Sequence, residues 1–501
     1  MRTILIVLTG FAGLAVATAA AAQDAHAHEG GLGTVRFENS CSAPAQPHFT
    51  QAAALLHSFE FAPARDAFNK ALEQDPTCGI ALWGVALSNW GNPFGLAIKP
   101  AAAVEAGAAA VQRGRSAGAK TDRERAYIEA VARLYEPAGV EQRARMNAYR
   151  DAMSALAAKH PDDPETASFY ALALAAAAPP EDKTYADQLK AGAILEKLFA
   201  QHPTHPGLAH YIIHAYDIPA LADRAVAAAR RYGKIAPAAP HALHMPSHTF
   251  TRLGYWKESI DTNLLSADAA RKSGNIGEEL HAYDYLEYAY LQLGQLEAAK
   301  GIVDKLPAIR ARIAPTSFGG AAGPSAGAFA FAAIPARYAL ERGAWAEAAA
   351  LEVHPSTTLY ADAITWFARA LGAARSQDPS VAAGAQKSIE QLQSIAERLT
   401  AASEPYWAEQ VHIQRIGASA WLALAQGQPD RALALMREAA EREDRTEKSA
   451  VTPGPLAPAR EMLGEMLLEL KRPREAAEEF QKTIGKEPNR LRARKGAEAA
   501  K

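Results

Sequence analysis

The stretch EMLGEMLLELKRPREAAEEFQKTIGKEP, Glu461 to Pro488, carries the clearest structural pattern in the chain. Leu463 and Leu467 lie four apart in its first half, and Ala476 and Phe480 lie four apart in its second, the spacing of one helix face. Gly464 and Ala476 are small where two paired helices must approach each other. Phe480 is large enough to fill the gap to a neighbouring pair, and Pro488 stops the second helix because it cannot donate to the helical ladder. A matching set, Ala52, Ala64, Phe68, Ala71 and Pro76, recurs near the start. Between the two ends the pattern is helix after helix, with almost no alternating β-branched runs.

Helix pairs repeating at about 34 residues are tetratricopeptide-like, and stacking them builds an α-solenoid. The expectation is therefore an all-α, TPR-like solenoid of about nine to eleven helix pairs. PARYALERGAWAEAA (Pro335 to Ala349) and AWLALAQGQPDRALALMREAA (Ala420 to Ala440) read as ordinary pairs of this kind. One composition break interrupts them, a Gly-, Pro- and Ser-rich run containing SFGGAAGPSAGA. It predicts a long loop over 313–329 that divides a first half, 47–312, from a second, 330–501.

The chain of 501 residues opens on one cation, Arg2, then an apolar run and small residues up to Ala22. This reads as a cleaved signal peptide over 1–22 and an arm over 23–46, and predicts a periplasmic or secreted protein. The apolar core is too short for a membrane span, and none is expected after signal cleavage. Lys and Arg total 53 against 55 acids, which excludes a nucleic-acid footprint. Apolar residues at 49% and charged ones at 22% belong to a folded chain. Cys41 and Cys78 are the only cysteines, and in an exported chain a lone pair invites a disulfide; two buried thiols are the alternative.

Eight of the 15 histidines fall between His202 and Asp284. His210 to His244 and His214 to His248 are each 34 residues, one helix pair, so these rings can face the same groove. A second regularity places Glu60 three after His57, Asp217 three after His214, His244 three after His241 and Asp284 three after His281. On a helix, i and i+3 share a face. An imidazole beside a carboxylate reads as two metal ligands, or as one ligand and the group that fixes its tautomer. Capping and solvated grooves are the bland alternative. Pro206 fits the first turn of a helix carrying His210 and His214. Pro246 predicts a new helix carrying His248, with His241 and His244 in the loop before it.

LLHSFEF (Leu55 to Phe61), DPTCGIALWGVALS (Asp75 to Ser88), HPGLAHYIIHAYD (His205 to Asp217), APHALHMPSHTFTRLG (Ala239 to Gly254), HAYDYLEYAYLQLG (His281 to Gly294) and VTPGPLAPAREMLGEMLLEL (Val451 to Leu470) resemble an exported bacterial group of tetratricopeptide-repeat proteins. The resemblance covers nearly the whole mature chain, and its two His-rich blocks are the most specific part. It implies an α-solenoid and no particular activity. Where that group often carries a histidine before the VTPG block, this chain has Ser449 and Ala450.

Two functions compete. The first is a groove site for Cu, Zn or Fe built from His57, His210, His214, His244, His248 and His281 with Asp217 or Asp284; so many imidazoles argue against Mg and Ca. An open coordination position would suit metal-assisted hydrolysis or O2-dependent oxidation. The second is a non-catalytic scaffold whose groove takes a peptide or partner protein. No phosphate loop, nucleophile elbow, His-Glu-x-x-His or Cys-x-x-Cys signature is present. Asp24-Ala25-His26 would chelate Cu only if cleavage exposed Asp24.

Overall fold

The computed structural model describes residues 30–95, 98–314, 316–376 and 378–501. The expected signal peptide and the Asp24-Ala25-His26 segment lie outside the described residues. Among the described residues there are helices and no strands, an all-α, TPR-like solenoid. Helices adjacent in sequence lie against one another: Gln46–His57 on Phe61–Gln74, Trp256–Ser273 on Ile276–Gln292, Pro405–Ala425 on Pro429–Asp444, and Ala459–Glu469 on Pro473–Lys486.

Small residues set these approaches. A Cβ on Gly84 would sit 2.3 Å from the ring tip of Phe68, so only glycine lets the Gly79–Trp90 helix meet that ring. Phe480 is held between Gly464 of the helix before it and Gly496 of the helix after it, where added Cβ atoms would lie 2.9 and 2.3 Å from the ring. Helix starts follow local chemistry. Thr121 forms a capping box with Glu124, and Asn275 accepts from the Glu278 amide ahead of Ile276–Gln292.

The disulfide Cys41–Cys78 is formed, with Cα atoms 4.8 Å apart. Cys41 precedes the first helical turns and Cys78 caps the Gly79–Trp90 helix, so the bond ties the N-terminal arm to the repeats. Phe37 of the arm packs its ring against Phe49, Trp83 and Tyr127. The closed loop spans 37 residues. Chain entropy assigns such a closure roughly 3 to 4 kcal/mol.

The loop expected over 313–329 is shorter than its composition predicts. A helix already begins at Pro324 and runs to Glu341, because proline suits a first helical turn and the Ala- and Phe-rich run after it is helix-competent. That helix lies on both Ile276–Gln292 and Leu359–Arg375, so the stack continues through the break. The remaining loop folds inward. Ala62 donates its amide to Gly319, Gly277 to Ser317, and Ala322 to Glu278 Oε1 at 2.8 Å.

The final repeat returns to the middle of the chain. Trp256 Nε1 donates to the Asn489 carbonyl at 3.2 Å, Arg490 to the Tyr288 hydroxyl at 3.1 Å, and the Leu491 amide to Gln292 at 2.8 Å. Among the described residues no helix is long and apolar enough to cross a membrane.

Candidate metal centre

Three stretches bring six histidines together: Pro206–Ala215 supplies His210 and His214, Pro240–Arg252 supplies His241, His244 and His248, and Ile276–Gln292 supplies His281. All six are buried, His214 being the most exposed at 8%. His241 and His244 lie on a short helix, Pro240–His244, rather than in a loop. Met245 keeps right-handed helical angles, and its amide still reaches the His241 carbonyl at 2.9 Å. Pro246 removes one donor without ending the helical track, so 241, 244 and 248 project along one side.

The nitrogens fall into two triads, His210–His214–His241 and His244–His248–His281, with ligand atoms in each within 4.8 Å of one another. Oxygen acceptors hold the outer face of most rings. His210 Nδ1 donates to the His57 carbonyl at 2.7 Å, and His241 Nδ1 to Glu278 Oε2 at 3.3 Å. His244 Nδ1 donates to Asn263 Oδ1 at 2.7 Å and His248 Nδ1 to Asp217 Oδ2 at 2.9 Å. Asn263 donates its amide to the Ser259 carbonyl, which fixes Oδ1 as the acceptor toward His244. Each of these four rings therefore carries its proton on Nδ1 and turns an Nε2 lone pair inward. Nε2 of His210, His214 and His241, and Nδ1 of His281, are buried with no hydrogen-bond partner.

Apolar walls surround the cluster. Phe59 stacks on His214 and His241, Phe94 on His214 at 4.3 Å between centroids, Tyr232 on His210 and Tyr285 on His248. Phe59 adopts φ +55°, a conformation that costs a bulky residue energy and is held by its surroundings. Burial pushes His248 down to about 4 and His281 down to about 3, and holds His210, His214 and His244 well below their ordinary value. Neutral imidazole is the ligand form.

The other expected ligands lie apart from the six: His57 belongs to a separate group of possible ligands with Glu165 and His205, whose donor atoms also lie within 4.8 Å of one another, and Asp217 and Asp284 serve other partners. His57 shares its ring between the Tyr211 hydroxyl and Glu165, each at 2.9 Å; Glu165 also meets His205 at 3.1 Å. His57 reaches the cluster only through its carbonyl. Asp284 pairs with Arg337 at 2.5 Å, beside Glu287. Asp217 lies beyond the end of its helix and serves His248 rather than His214. It also takes Arg252 at 2.9 Å and Lys448 at 3.1 Å. Burial raises the Asp217 carboxyl, but Lys448, Arg252 and His248 outweigh it and hold the group well below its usual range. Glu60 accepts the His241 amide at 3.2 Å, and burial with the Glu278 charge raises its carboxyl. In none of the four His-x-x-Asp/Glu/His pairs do the two side chains hydrogen-bond to each other; His214 and Asp217 meet only through the backbone, Asp217 N–H to the His214 carbonyl at 3.4 Å. Three residues along a helix turn a side chain by about 60°, enough to direct it to a different neighbour.

Sequence spacing gave no sign of Asn263, Glu278 or Lys448, whereas Tyr285 lies near enough to His281 in sequence to be expected at the pocket wall. Lys448 reaches Asp217 across 231 residues, and Tyr285 donates to the Thr452 carbonyl at 3.1 Å. Ser449, Ala450 and Val451 line a cavity of about 90 Å³ together with His214, His241, His248 and His281. Tyr360 and Trp407, stacked at 3.8 Å, line this cavity and also a second one of about 100 Å³ in the C-terminal half.

Fold and site together define a helical-repeat protein with a buried histidine cluster at its centre. No family model and no curated protein matches the sequence. Among solved structures, the chain is similar to the APC/C hetero-tetramer Cut9-Hcn1 at 11% identity, covering 93% of this chain and 77% of that one with a TM-score of 0.37. It is similar to yeast Tom70 at 14% identity, covering 91% and 88%, TM-score 0.27. The P58(IPK) TPR domain matches at 13%, covering 91% and 97%, TM-score 0.22.

Proposed function

We propose that this chain is an exported TPR-like solenoid that binds Cu, Zn or Fe through its central histidines. One observation carries the reading: His244 Nε2 and His248 Nε2 face each other at 3.0 Å while both Nδ1 protons are committed to Asn263 and Asp217. Two buried lone pairs in contact repel unless a cation lies between them. Metal–nitrogen bonds of about 2.0–2.1 Å set neighbouring ligand nitrogens roughly 3.3 Å apart in a tetrahedral shell. The oxygen acceptors behind the rings fix tautomer and orientation, as such groups do for metal-ligating histidine.

An all-imidazole donor set favours the borderline transition metals. A bound ion would supply Lewis acidity or redox chemistry, so hydrolysis and O2-dependent oxidation are both open to it. The chain's own part is to hold neutral imidazoles in place behind aromatic walls. Metal content by mass spectrometry, on untagged protein purified from the periplasm, tests the reading. Stoichiometric Cu, Zn or Fe that is absent from a His244→Gln/His248→Gln variant is expected. No bound metal, and none taken up on titration, sinks it.

The second cavity favours an additional reading, a groove that takes a peptide or partner protein. Gln410 Nε2, Gln414 Oε1 and Trp407 Nε1 are buried along its wall without partners, a donor and an acceptor four apart on one helix beside an aromatic face. Co-purification of a partner with the wild type and its loss from a Gln410→Ala/Gln414→Ala variant is the expected outcome. Equal recovery from both rejects it.

A further inference from the structure

We propose that the six histidines hold two ions side by side, one on His210, His214 and His241 and the other on His244, His248 and His281, with one small anion shared between them. The inference rests on the metal-binding reading above and adds the number of ions and the class of ligand.

The donor atoms separate into two sets of three. Within each set they lie within 4.8 Å of one another, and no larger set of the six meets that limit among the described residues. A single ion needs all its ligand nitrogens inside a shell of about 2.0–2.1 Å radius, and so no more than about 4.2 Å apart. Six imidazoles arranged as two groups of three do not converge on one such point.

The two sets are also built alike. Each has one ring backed by a carboxylate, His241 by Glu278 and His248 by Asp217. Each has one ring backed by an amide oxygen, His210 by the His57 carbonyl and His244 by Asn263. Each has a third ring that presents an unpartnered buried nitrogen, His214 in one and His281 in the other. A carboxylate and an amide oxygen behind every three imidazoles is the support one ion requires, supplied twice.

The sets adjoin. The rings of His214 and His248 lie 6.1 Å apart, and those of His241 and His244 6.2 Å apart. The cavity of about 90 Å³ is lined by two rings from each set. Paired catalytic ions sit about 3.5–4 Å apart and share a ligand. Charge makes that ligand an anion. Two dications outweigh Glu278 and Asp217, and Asp217 is already divided among Arg252, Lys448 and His248.

Copper and azide test the proposal on the full mature chain. The protein is loaded with Cu(II), freed of excess and assayed for copper per chain by mass spectrometry. Electron paramagnetic resonance intensity is then integrated with and without azide. The expected result is two coppers per chain and, with azide bridging them, a signal well below the copper content because the two spins couple. His210→Gln and His281→Gln variants, checked for folding by circular dichroism, each fall to one copper and show full intensity. One copper per wild-type chain, or two with undiminished signal in azide, overturns the proposal while leaving the metal-binding reading intact. No copper uptake overturns the proposal, and overturns the metal-binding reading as well only if Zn and Fe are also neither bound nor taken up. If the variants do not fold, the wild-type count and signal still decide.

Discussion

Asp217 shows how much one side chain carries at this centre. It is 10% exposed and faces Arg252, Lys448 and His248 at once. Removing it takes away the carboxylate that pairs directly with two buried cations, so Asp217→Ala is expected to cost about 3–5 kcal/mol in urea unfolding, with Asp217→Asn costing less. A loss under 1 kcal/mol for the alanine variant rejects that account. Glu443 makes a complementary case. Burial pushes its carboxyl from 4.5 up to about 7, and its Oε2 accepts the Ala459 amide. Between those values the unfolded chain releases a proton that the folded chain keeps. Its contribution to stability is full below pH 4.5 and is lost as pH rises through about 7. Thermal unfolding across that window is expected to show a downward slope that Glu443→Gln removes; an unchanged slope refutes the assignment. Residue types at the centre are legible in the sequence: five of the six clustered histidines belong to the expected ligand set, while His241 falls outside it and is expected, with His244, in a loop. Their partners are not. His57, Asp217 and Asp284 each turn to groups on other helices, because i+3 spacing fixes a shared face and not a contact.

At the level of elements, glycine against phenylalanine sets how closely helices meet. Gly84→Ala would press a Cβ to 2.3 Å from the fully buried Phe68 ring, so one or the other must shift. Overpacking of this kind costs about 1–3 kcal/mol. A Phe68→Leu change should recover part of it, which makes the pair's coupling visible in a double-mutant cycle of guanidinium unfolding. Strictly additive losses would show that the two side chains do not meet. The same chemistry explains why the final repeat was readable: Gly464 and Phe480 specify a contact within one helix pair, a local matter. The two prolines that punctuate other elements were harder to read. Pro246 starts the Pro246–Arg252 helix as expected, its missing amide having little consequence in a first turn, but the stretch before it, expected as loop, is the short helix Pro240–His244. Pro324 likewise starts a helix, inside a stretch whose composition predicts loop.

For the molecule as a whole, the decisive feature is that distant repeats touch. In an open solenoid each repeat contacts only its neighbours, and stability is close to a sum of local terms. Here Arg490 is fully buried between Glu341, Glu461 and Tyr288, and Lys448 and Thr452 of the loop before the last repeat reach Asp217 and Tyr285. Composition and periodicity are silent on such contacts, since they depend on how the whole stack curves and not on any one repeat. Closure of this kind makes the two halves open together. Arg490→Ala leaves Glu461 and Glu341 without their buried cation and is expected to cost about 3–5 kcal/mol. Its reach distinguishes the two architectures. In a closed stack, amide hydrogen exchange followed by mass spectrometry should quicken in Ile276–Gln292 and around Trp256 as well as in the final repeat. If faster exchange is confined to residues 459–501, the contacts between the final repeat and the middle of the chain are not energetically coupled. The centre would then depend on the loop carrying Lys448 and Thr452 alone for its cover.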